Sequence, residues 1–125
     1  MSYFLDTWLY RQIECLLSHY GLQYQGDTPL MRFSEGPIKN QIEILSDSDE
    51  VEVILIQSIP CKNSDIALRL SQCVTPESNF GVVGAVFFLD NKLNIATSLP
   101  TDLTAEEWLT IFECHKALLV SFLGK

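Results

Sequence analysis

Three features of the sequence predict an α+β domain with the element order α-β-β-β-α-β-β-α, a twisted antiparallel sheet of about five strands and helices mainly on one face. Apolar residues recur at helical spacing near both ends of the chain. Between those ends the apolar period falls to two, and a capping box opens the closing segment. The 125 residues make one domain, 1–125, and with 47% apolar and 19% charged residues it can bury roughly two thirds of its unfolded surface.

The first helix is expected over residues 3–20, where Leu5, Trp8 or Leu9, Ile13, Leu16 and Tyr20 follow three- and four-residue spacing and Gly21 supplies a left-handed stop. Its apolar arc exceeds half of its girth, so it has two things to pack against. Three short strands follow, carried by Met31 and Phe33, by Ile42 and Ile44, and by the Val51–Ile56 run. Gly36-Pro37 and Ser46–Asp49 supply the turns between them. Asn63-Ser64-Asp65 reads as an N-cap cluster opening a helix of about ten residues. Ile66, Ala67, Leu70, Cys73 and Val74 fall on one side of that helix, Leu68 on the other, and Pro76 closes it. A second hairpin runs from Gly81 through Val86–Leu89 to Leu93–Ala96, folded at Asp90-Asn91-Lys92. The last helix, 104–123, opens at Thr104-Ala105-Glu106-Glu107, with Leu103 placed to staple onto Trp108. Trp108, Ile111, Phe112, His115, Leu118, Leu119 and Phe122 form its buried face.

Composition excludes several classes of function. Eight Lys+Arg against sixteen Asp+Glu give a net charge of −8. The basic residues Arg11, Arg32, Lys39, Lys62, Arg69, Lys92, Lys116 and Lys125 are scattered singly, which argues against nucleic acid as a partner. No apolar run approaches the ~20 residues of a membrane span, and the first residues lack the basic flank of a signal peptide. A protein that stays in the cytoplasm is therefore expected. The four cysteines Cys15, Cys61, Cys73 and Cys114 contain no C-x-x-C pair, in keeping with reduced thiols.

No catalytic constellation emerges, and no cofactor or metal is expected. Cys15 and His19 share a helix face and would make half a zinc site at most, while plain packing is the commoner role of such a pair. Cys114 and His115 point ~100° apart and do not form a nucleophile and base. His115 reads as a hydrogen-bonded core histidine more readily than as a pH switch. The acidic turn at Asp47–Glu52 has Glu52 where a calcium loop needs glycine, and Gly81-x-x-Gly84 lacks dinucleotide spacing. What stands out is surplus apolar surface. Val53-Ile54-Leu55-Ile56 and Val86-Phe87-Phe88-Leu89 are apolar on both faces of their strands, so the second face of the sheet wants a cover.

The element order, length, acidity, opening helix ending Leu16-Leu17-Ser18-His19-Tyr20-Gly21-Leu22 and apolar closing helix resemble the class I type III secretion chaperones over nearly the whole chain. The resemblance implies a bacterial, cytoplasmic, non-enzymatic chaperone. It would bind the N-terminal segment of a secreted effector in extended form and keep it soluble and competent for secretion. It also implies a homodimer, or a heterodimer with a second chaperone, joined through Ile66, Leu68, Leu70, Cys73, Val86 and Phe88. Effector-binding walls would come from Phe4, Trp8, Leu30, Met31, Phe33 and Ile44, with strand-edge pairing to the client. The alternative function is a small dimeric α+β scaffold module that binds a folded regulatory partner.

Overall fold

The computed structural model describes residues 7–24, 29–47, 50–73, 82 and 84–124. The order is α1 (Thr7–His19), β1 (Leu30–Glu35), β2 (Ile38–Asp47), β3 (Glu50–Pro60), α2 (Asp65–Ser71), β4 (Ala85–Leu89), β5 (Lys92–Leu99) and α3 (Ala105–Ser121). All five strands form one antiparallel sheet in the order β1-β2-β3-β5-β4, so the α+β architecture expected from the sequence is the one observed. The chain passes from the central strand β3 through α2 to the edge strand β4, then returns inward as β5.

Local chemistry explains the turns. At the end of α1 the Leu22 amide donates to the Leu17 carbonyl and the Gly21 amide to that of Ser18, both at 3.0 Å. Gly21 takes a φ of +75°, and together these make a Schellman stop. Gly36, at φ +58°, precedes Pro37 in the turn joining β1 to β2, the arrangement of a type II′ hairpin. Asp90 and Asn91 take φ values of +53° and +58° between the paired Leu89 and Lys92, which marks a type I′ turn. Thr104 caps α3 through the reciprocal capping box with Glu107, and Leu103 packs into the same cluster as Trp108.

The middle helix differs from expectation. It is seven residues long, and Asn63 caps it, its Oδ1 accepting from the Asp65 amide at 3.0 Å. The α-helix ends at Ser71 and tightens into a turn in which the Cys73 amide donates to the Leu70 carbonyl at 2.9 Å, and Cys73 lies exposed there, not on the buried side. Val74 and Pro76, like residues 3–6 of the expected first helix and Gly81, lie outside the described residues.

Strand parity sorts the sheet into two faces. Ile42, Ile44, Val53, Leu55, Ile59, Leu93, Ile95 and Leu99 point inward and are almost fully buried under the helices. Two apolar clusters result. One joins α1, the first half of α3 and the β2–β3 end of the sheet; the other joins α2, the second half of α3 and the β5 side. Each large side chain buried this way stabilises the fold by roughly 1.5–3 kcal/mol. Between the clusters the inward positions turn polar, with Asn40, Gln57, Thr97 and His115 all buried.

Candidate functional site

The inner polar positions form a connected ribbon. The Gln57 amide donates to Asn40 Oδ1 at 3.0 Å, and Asn40 Nδ2 donates to Glu35 Oε1 at 3.0 Å. Lys116 on α3 donates to Glu35 Oε2 at 3.2 Å and pairs with Glu113 at 2.9 Å. The Tyr20 hydroxyl completes it, donating to Glu113 Oε1 at 2.8 Å. Burial and the Glu113 carboxylate push the Tyr20 phenol upward. Burial alone would raise Glu113, yet hydrogen bonds from Lys116 and Tyr20 outweigh it and hold the carboxyl below its ordinary value. Those same carboxylate bonds hold the Lys116 ammonium above its own. Every charged member faces another member, so the ribbon ties α1, β1, β2, β3 and α3 together and leaves no group poised to attack a substrate.

The sequence's other reactive groups are dispersed. Cys15 and His19 are exposed on α1, and Cys61 is buried with its Sγ 3.3 Å from the Asn63 carbonyl. His115 Nδ1 lies 3.1 Å from Thr97 Oγ1 inside the core. Burial pushes its pKa down, so it is neutral at physiological pH. Among the described residues no group of three metal-ligating side chains occurs, and no helix is long and apolar enough to cross a membrane.

The outer face of the sheet carries the uncommon surface. All three helices pack on the inner face, through inward-pointing residues of the strands, and none of the described helices lies over the other side. Register aligns the outward residues in rows: Arg32, Gln41, Ile56, Ala96 and Ala85; then Ser34, Lys39, Ser58, Asn94 and Phe87; then Pro60, Lys92 and Leu89. Ile54, Ile56 and Phe87 are half-buried there, while Leu89 is 58% and Leu45 43% exposed. An open depression of about 480 Å³ occupies the end of this face nearest the β4–β5 turn. Ile56 and Leu89 line it together with Arg32, Lys39 and Lys92. The opposite end of the face is acidic, with Glu43 and Glu52, the latter accepting from Ser98 at 3.1 Å.

The residues that sequence reasoning assigned to client binding do not form one surface. Phe4 lies outside the described residues. Trp8 is half exposed on α1, whereas Ile44 is 1% exposed and serves the core, since even positions of β2 point inward. Met31 and Phe33 pack half-buried against the first cluster, with Phe33 stacked 6.0 Å from Phe112. Leu30 points to the opposite, outer face. Of the positions assigned to the dimer contact, Ile66 and Leu70 are buried in the second cluster, and Val86 and Phe88 pack against it. Leu68, 69% exposed, and Cys73 remain at the surface. The depression was not legible in the sequence: Arg32 and Lys39 belong to one hairpin, but Lys92 is 53 positions further on and only strand register gathers it beside them.

A family model described as SsaM matches residues 6–122 of the chain. No curated protein and no solved structure gives a significant match.

Proposed function

The chain belongs to the SsaM family, which is associated with type III secretion, and from that premise we propose that it is a non-enzymatic chaperone of the bacterial cytoplasm. In this reading it holds the N-terminal segment of a secreted effector in extended form and keeps it competent for secretion. The observation that carries the reading is the set of apolar side chains on the outer face of the sheet, Ile54, Ile56, Phe87 and Leu89, over which no described helix lies. A soluble domain rarely spends such side chains on water unless a partner covers them. The strand β1 adds a second element, because among the described strands it pairs only with β2, and its other edge would take a client backbone. Leu68 and the neighbouring edge strand β4 supply the contact for a second copy or a second chaperone.

Co-expression with the N-terminal segment of a secreted protein encoded beside it tests the proposal. A complex is expected in which that segment resists limited proteolysis yet shows no cooperative unfolding of its own. Leu68→Asp should shift the protein toward a monomer in size-exclusion chromatography. A strict monomer at micromolar concentration that retains no unfolded segment would sink the reading. A partner retained only in folded, cooperatively melting form would replace it with a scaffold module.

A further inference from the structure

The depression on the outer face carries a charge opposite to that of the molecule. Acidic residues outnumber basic ones sixteen to eight, so carboxylate partners are abundant. Yet among the described residues both ion pairs are made by Lys116, and Arg32, Lys39 and Lys92 line the depression with no described carboxylate inside ion-pair distance. Asp90 is the one acidic residue in that lining. Arg32 is already oriented: its Nε donates to Gln41 Oε1 at 3.1 Å, which leaves the terminal guanidinium N–H groups for a bidentate acceptor.

Geometry narrows the occupant. From β1 to β5 the depression crosses three strand spacings, roughly 14 Å at about 4.8 Å each, the length of about four residues of extended chain at ~3.3 Å per residue. Ile56 and Leu89 lie among the cations, so a fully ionic occupant would bury apolar surface against its own charges. An extended segment whose carboxylates recur two to four residues apart, with an aliphatic side chain between them, satisfies both kinds of wall. Nucleic acid would bring phosphates to these cations but no aliphatic side chain for the apolar positions, and with a charge on every nucleotide it is repelled by the surrounding negative surface more strongly than a segment with spaced carboxylates.

Building on the chaperone reading above, we propose that this depression selects an acidic, aliphatic-bearing stretch of the client. The rest of the surface is negative, so the attraction is local. It rewards only carboxylates seated among Arg32, Lys39 and Lys92, and the depression thereby acts as a register mark for an otherwise nonspecific apolar strip.

Fluorescence anisotropy with a short labelled peptide of alternating Glu and Val tests this, against the same peptide with Lys for Glu and against a single-stranded oligonucleotide. The acidic peptide alone should bind. The triple variant Arg32→Glu, Lys39→Glu, Lys92→Glu should weaken it at least about tenfold and admit the basic peptide. The milder Arg32→Gln, Lys39→Gln, Lys92→Gln variant should give a smaller loss with an unchanged urea midpoint, which separates binding from folding. Unchanged affinity in both variants overturns the proposal, as does oligonucleotide binding of equal strength. Loss of self-association in the reversed variant also overturns it, by assigning the face to a second copy. A natural client segment that co-purifies equally with wild type and with the reversed variant overturns it while the chaperone reading stands. If no client segment is retained but the acidic peptide binds with the expected charge dependence, the chaperone reading falls and the acidic specificity of the depression stands.

Discussion

Gly84 stands where a side chain has no room. A Cβ built there would lie 2.5 Å from Ile95 Cγ2, 3.0 Å from Thr97 Oγ1 and 3.1 Å from His115 Cε1. The isoleucine methyl is attached next to its backbone and cannot swing away, so Gly84→Ala should destabilise the fold by about 1–3 kcal/mol, measured as a lowered urea midpoint. The neighbouring His115 makes stability depend on pH. Its folded pKa is pushed below the ordinary value of 6.5 by burial, so as pH falls through about 6.5 the unfolded chain takes up a proton that the folded chain refuses. The unfolded state then binds more protons, and the His115 contribution lowers stability from that pH downward while staying constant above it. His115→Gln can still reach Thr97 by a hydrogen bond and should remove this decline. Glu113, held below 4.5, should leave both proteins a further loss at more acid pH. Parallel stability curves for wild type and His115→Gln between about pH 7 and 5 would contradict this assignment.

Elements with local signals were legible in the sequence. The capping box of α3 is complete within four residues, with Thr104 Oγ1 accepting from the Glu107 amide at 3.2 Å and Glu107 Oε1 accepting from the Thr104 amide at 3.0 Å. Thr104→Ala should therefore cost about 1 kcal/mol of stability, and Thr104→Ser should restore most of it. Equal midpoints for Thr104→Ala and wild type would show that tertiary packing of Trp108, rather than the cap, fixes where α3 begins. The hairpin at Asp90-Asn91 was equally readable, because two residues that tolerate positive φ stood between β-branched and aromatic runs. The extent of α2 was not. Asn63, Ser64 and Asp65 are all competent caps, and spacing alone could not show that Asn63 would take the role or that the helix would end at Ser71.

Across the whole molecule, the division of labour between the two sheet faces was half visible. The unbroken apolar runs at Val53–Ile56 and Val86–Leu89 announced that both faces would carry apolar residues. Parity alone could not say which residues the helices would claim, because that depends on pairing between distant strands. For the same reason Ile44 looked like a surface candidate and is core, and three isolated cations converge on one depression, while Ile66 and Leu70 are core because the apolar side of α2 turns onto the second cluster. Two adjacent residues of β3 expose the consequence. Leu55 is fully buried against the helices, so Leu55→Ala should cost about 2–5 kcal/mol, the transfer loss plus the cavity it leaves. Ile56, one position on, points to the outer face, where no described helix meets it. Ile56→Ser should cost about 1 kcal/mol or less and should instead reduce retention of a client segment in the co-expression assay. Equal losses of stability at the two positions would mean that part of the chain's own polypeptide seals the outer face, and a strip sealed in that way cannot hold a client.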